Sequence, residues 1–192
     1  MKILPGMSRA QILSMLAATA FLLCLSAASH AAEMCKEPKL QSLPANHPEC
    51  LFYAGTARYR AKDYATAAQR WQALIGLKSV AIEDEHLRVD AYNNLGFLYY
   101  TGRGVQPDRG RAIGYWRLAM DKGNEEAVYH LCHAYDDKAG PEYNPKLALG
   151  YCKEALRRYG QLKDQDDGSM EIVRQIRKSI STLEGRPGPD GN

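Results

Sequence analysis

The chain of 192 residues is long enough for a single domain with its own core. Its 25 lysines and arginines nearly balance 22 aspartates and glutamates, which argues against nucleic acid or an anionic membrane surface as the main partner.

At the N-terminus, Lys2 and Arg9 precede an apolar run from Ile12 to Ala28, and small residues ending in Ser29-His30-Ala31-Ala32 precede the first acid, Glu33. This order reads as a cleavable secretory signal over residues 1–31, so the mature protein is expected in the periplasm or outside the cell. The apolar run is about 17 residues long, at the low edge of a bilayer span, so a retained anchor is the alternative. After cleavage no membrane insertion is expected. Cys24 follows Phe21-Leu22-Leu23, a poor fit to the small-residue box that precedes a lipidated cysteine.

Residues 32–47 are Pro-rich and aperiodic, an extended lead-in. From Pro48 the pattern turns helical, with Leu51, Ala54, Gly55 and Ala57 on one face, and a second helix from Tyr64 carries Ala67, Ala68, Trp71, Leu74 and Ile75 at helical spacing. Residues 48–76 therefore form a helical hairpin. After a polar connection with the acidic cluster Glu83-Asp84-Glu85, a second hairpin covers 88–122. Gly102 suits the left-handed end of its first helix, and Asp108 suits the cap of its second. A third covers 125–159, with Asn144 and Pro145 as cap and first residue of its second helix. Lys138 stands where a helix-ending glycine is expected. Past a charged linker, Ser169 is read as the cap of a last amphipathic helix, 169–184, with Ile172, Val173, Ile176, Ile180 and Leu183 on one face and basic residues on the other. Such a helix shields the end of a repeat array. The Gly/Pro-rich tail, 185–192, is expected to be disordered.

Two of these units superpose without a gap. Leu95, Gly96, Tyr99, Gly104, Ala112, Trp116 and Ala119 recur 36 residues later as Leu131, Cys132, Tyr135, Gly140, Ala148, Cys152 and Ala155. A fixed period in this range marks a stacked-helix array, in which each hairpin buries its apolar face only against its neighbours. Small residues at Gly55 and Gly96 let paired helices approach opposite Ala67 and Ala112, while Trp71 and Trp116 fill the space between hairpins. In the first unit Gly55 precedes Ala67 by 12 residues, whereas Gly96 precedes Ala112 by 16, so the later units carry a four-residue insertion in the turn.

Removal of the signal leaves Cys35, Cys50, Cys132 and Cys152, which allow three pairings in an oxidising compartment. Sequence proximity and the repeat register favour Cys35 with Cys50 and Cys132 with Cys152, buried free thiols being the alternative. Each bond would close a loop of about 15 to 20 residues, worth about 3 kcal/mol.

Asn94-Leu95-Gly96-x-x-Tyr99, Gly102-x-Gly104-Val105, Asp108-x-x-x-Ala112-x-x-x-Trp116-x-x-Ala119 and Gly123-Asn124-x-x-Ala127 closely resemble the Sel-one-like repeat family, the branch of the tetratricopeptide superfamily with the longer glycine-containing turn. The resemblance covers about residues 48–159, closest in the second unit and only tetratricopeptide-like in the first. It implies an all-α, right-handed α/α superhelix of three hairpins plus a capping helix, with a concave face lined by the first helix of each pair and a role in protein complexes. The family's concave positions fall on Glu49, Phe52, Thr56, Tyr59 and Arg60, then Asp90, Asn93, Phe97, Tyr100 and Thr101, then Glu126, Tyr129, His133, Asp136 and Asp137. Five of these fifteen are aromatic and one is basic, a composition that suits a binding face. Phe52, Tyr59, Arg60, Asn93, Phe97, Tyr100, Tyr129, His133 and Asp136 are the expected contacts to a protein or peptide partner. For Phe52, Phe97 and Tyr129, completion of the core is the competing role.

His130, His133, Cys132 and Cys152 are zinc-type ligands, but the histidines lie off the inward line of Cys132, so no metal is expected and His130 reads as an ordinary surface residue. No Gly-x-Ser-x-Gly, Ser-x-x-Lys, phosphate loop or His-Glu-x-x-His is present, so neither catalysis nor a cofactor is expected. The resemblance implies two alternatives: an immunity protein neutralising a periplasm-targeted toxic effector such as a phospholipase, and a cysteine-rich β-lactam-binding or hydrolysing enzyme.

Overall fold

The computed structural model describes residues 35, 40, 42–44, 46–162 and 166–185. The signal expected over residues 1–31 and residues 186–192 of the expected tail lie outside the described residues. The described residues form seven α-helices and no strand: α1 (Pro48–Arg60), α2 (Tyr64–Ile75), α3 (Glu85–Thr101), α4 (Arg109–Asp121), α5 (Glu125–Asp136), α6 (Pro145–Tyr159) and α7 (Asp167–Leu183), with a 3₁₀ turn at Ile82–Asp84.

Local chemistry sets most of these limits. Asp63, Asp108 and Asn144 accept a backbone N–H from Thr66, Arg111 and Leu147 and so start the second helix of each hairpin. Asn124 does the same for α5 through Ala127. Gly102 ends α3 with φ of 69°, the left-handed conformation that glycine adopts at little cost. At the end of α5, where no glycine stands, Asp137 takes an extended conformation and its carboxylate accepts from the Ala139 amide. The last helix starts at Asp167 rather than Ser169, because Asp166 supplies the cap and accepts both the amide and hydroxyl of Ser169.

The helices stack as three hairpins, α1 with α2, α3 with α4 and α5 with α6, closed by α7 against α6. Successive first helices also touch, α1 with α3 and α3 with α5, which places them on the inside of the superhelix. One joint recurs within the hairpins. The Trp71 indole N–H donates to the Phe52 carbonyl at 3.3 Å, and that of Trp116 donates to the Asn93 carbonyl at 3.2 Å. In each case the indole lies against the glycine three residues further on, and a Cβ at Gly96 would stand 2.5 Å from the Trp116 nitrogen. In the third hairpin the equivalent positions are Cys132 and Cys152, joined as a disulfide with Cα atoms 4.8 Å apart. Cys35 and Cys50 form the second disulfide, with Cα atoms 5.8 Å apart.

The four-residue insertion also has a packing role. Gly104, at φ of 70°, lies directly on the backbone of Tyr64 and Ala65, where any Cβ would collide. Gly140, one period later, sits against the Arg109 guanidinium. Tyr64 and Arg109 are the first residues of α2 and α4, so each longer turn docks on the preceding hairpin at an equivalent place.

Candidate functional site

Stacking the first helices in register brings side chains from α1, α3 and α5 to one open cleft of about 380 Å³. Its lining comprises Thr56, Tyr59 and Arg60 of α1, Asn93, Asn94 and Phe97 of α3, Glu126 and His130 of α5, and the edge of Trp71. A second, larger cleft of about 680 Å³ continues from it across α1, past Phe52, Tyr53 and Glu49 to Leu40, and shares Thr56, Arg60 and Asn94 with the first. Together they make one trough.

Of the expected contacts, Tyr59, Arg60, Asn93 and Phe97 line the central cleft and Phe52 lines its extension. The Phe52 and Tyr59 side chains also pack on the core, with the Tyr59 ring 5.8 Å from that of Trp71. Tyr100 is turned to the third hairpin: its hydroxyl donates to Asp137 at 3.0 Å, and its ring lies between Trp116 and the Arg109 guanidinium. Burial, with Asp137 accepting its proton, pushes the Tyr100 phenol up to about 12.

Tyr129 and His133 belong to the end closed by α7. The Tyr129 hydroxyl donates to Gln175 at 2.6 Å, and its ring packs at 4.5 Å from that of His133. Burial depresses the His133 imidazole below its ordinary value, which favours its neutral form. Asp136 is partly exposed at the same end.

His130 departs from the expectation of an ordinary surface residue. Its ring stacks on Trp116 at 4.8 Å, faces Phe97 at 6.0 Å, and forms one wall of the cleft with its side chain only 17% exposed. Asn94, the first residue of the repeat motif, also reaches the cleft, although it was not among the expected contacts. The signal for both was the helical face itself: Asn94 and His130 are one period apart, as are Asn93 and Tyr129.

The polar geometry of the cleft centres on Asn93, which is 3% exposed. Its amide nitrogen donates to Glu126 Oε2 at 2.9 Å, while its Oδ1 is buried without a partner. Proximity of the His130 ring, 3.7 Å away, and the bond from Asn93 hold the Glu126 carboxyl below the usual carboxylate range. Arg60, on the opposite bank, is exposed and has no ion-pair partner among the described residues. The trough thus presents one anionic and one cationic bank across an aromatic and amide floor. Among the described residues no group of three or more His, Cys, Asp or Glu side chains is placed to hold a metal, and no helix is long and apolar enough to cross a membrane.

No family model matches the chain, and no curated protein matches it. Among solved structures it is similar to a Sel1 repeat protein from Oxalobacter formigenes, at 23% identity and a TM-score of 0.49, over 73% of this chain and 57% of that one. The chain spans little more than half the length of that protein.

Proposed function

We propose that this chain is an exported, non-catalytic repeat scaffold of the Sel-one-like type, which holds a segment of a protein or peptide partner in the trough formed by α1, α3 and α5. The observation that carries this reading is the convergence of side chains from three successive hairpins on one open, mixed aromatic and polar cleft. The core needs none of the polar side chains exposed there, and such a surface suits a peptide with both apolar and hydrogen-bonding groups. Export is supported by the signal-like N-terminus and by two cysteine pairs at bonding distance, a state that persists in oxidising compartments.

The test is to block the trough without disturbing the core. Thr56→Arg combined with Asn94→Arg places two bulky, helix-compatible side chains across both clefts. We expect partners cross-linked to the wild-type protein in the envelope to be absent with the blocked variant, while its helicity and unfolding midpoint stay near wild type. Unchanged recovery of the same partners would sink the trough reading. The identity of the recovered protein then separates the two uses of such a scaffold: a toxic lipase would mark an immunity protein, and an envelope-assembly factor an accessory one.

A further inference from the structure

We infer that the trough anchors its partner through a cationic N–H donor, an arginine side chain seated between Asn93 and Glu126; this rests on the trough being the partner site. Because the Asn93 amide nitrogen already donates to Glu126, the amide cannot flip without setting two oxygens against each other, and Oδ1 is left as a buried acceptor without a donor, on a side chain that lines the cleft. A buried carbonyl without a donor costs about 1–3 kcal/mol, so the occupant that gains most is one that brings an N–H. Beside it, the second Glu126 oxygen meets only His130, at 3.7 Å, longer than a hydrogen bond, and no lysine or arginine neutralises this carboxylate among the described residues. The Glu126 side chain is 54% exposed, so the negative charge is open to a guest from solvent.

Ring faces complete the site. Tyr59, Trp71, Phe97 and His130 line the same cleft, the Phe97 ring already carrying the Arg103 guanidinium at 5.3 Å, and aromatic faces attract cations. An apolar guest would leave Oδ1 unsatisfied, and an anionic one would meet Glu126. A guanidinium is favoured over an ammonium because Asn93 and Glu126 are already in hydrogen-bond contact, so one planar fork of donors can address both residues at once. Arg60 across the cleft then disfavours a second cation and orients the rest of the segment, its carbonyls or an acidic side chain toward α1.

The test uses small capped probes and the mature chain, read by the side-chain amide resonances of Asn93. N-acetyl-arginine amide should shift them saturably. N-acetyl-citrulline amide, which keeps the shape and loses the charge, should bind at least five-fold more weakly, and N-acetyl-glutamate amide should not compete. Glu126→Gln, which still accepts from Asn93, should weaken the arginine probe at least five-fold, whereas Arg60→Gln, which removes the competing cation, should tighten it. Equal binding of citrulline, preference for the glutamate probe, or indifference to Glu126→Gln would overturn the proposal. Loss of the cross-linked partner in the blocked variant together with a failed arginine probe would sink this anchor alone, whereas persistence of that partner would sink the trough reading beneath it.

Discussion

At the residue scale, the fold turns on the glycine and tryptophan pair repeated in the first two hairpins. Gly96 is there because the Trp116 indole occupies the space a side chain would need, and the indole in turn satisfies the Asn93 carbonyl. Gly96→Val should therefore overpack this joint and cost about 1–3 kcal/mol, read as a fall in the urea midpoint. The control is Gly114→Ala, in mid-α4, where a Cβ meets nothing within 4 Å. There the gain in helix propensity should stabilise by about 0.5–1 kcal/mol. Comparable destabilisation by both substitutions would show that backbone freedom, not the indole, accounts for Gly96. This joint was legible in the sequence, because small and large residues recur at fixed spacing. For His130 the period gives only the helical face it shares with Asn94: its stacking on Trp116 depends on α5 lying against the second hairpin, a contact that no pattern within α5 encodes.

At the element scale, the third hairpin replaces the glycine and tryptophan joint by a covalent one. Cys132 on α5 and Cys152 on α6 are both fully buried, and Val128, Ala155, Tyr159 and Ile176 of α7 pack in the same cluster. Replacing both cysteines by alanine should lower stability by about 3 kcal/mol in urea without reductant. It should also raise the amide exchange of α7, whose apolar face rests on that cluster. A loss below about 1 kcal/mol would mean that packing alone holds the third hairpin. The apolar face of α7 was readable from its period, and so was its role as a closing element. Its start was not, since Asp166 and Ser169 are both good caps and the carboxylate reaches the free amide first.

At the scale of the whole molecule, ion pairs within and between hairpins should shape the response to pH. Arg109 of α4 pairs with Asp137 beyond α5 at 2.7 Å and holds its carboxyl below the usual range. Glu154 is lowered to about 2 by Arg157 and Arg158, and Arg158 also donates to the Met120 carbonyl of α4. Burial raises Glu85, but the bonds from Lys122 and Arg88 outweigh it and leave it lowered. Carboxyls depressed in the folded state contribute stability that is full above their unfolded values, near 4, and is lost as pH falls through the folded values toward about 2. Each of these partly exposed pairs is worth at most about 1 kcal/mol, so the acid limb should be shallow and should weaken with salt. Tyr100 acts at the other end. Its raised phenol contributes stability that is full below about pH 10 and is lost as pH rises toward about 12. Unfolding midpoints across pH should therefore form a plateau with these two shoulders, and a midpoint flat down to pH 2 would contradict it. The period of apolar and small residues was enough to settle the all-helical class and to favour the hairpins and the pairing of Cys132 with Cys152, because each depends on spacing along one or two neighbouring helices. The cleft itself was decided only in three dimensions. Asn93, Glu126 and Arg60 come from three different hairpins, and whether a polar atom faces solvent, a partner or nothing is a property of the stack rather than of any one helix.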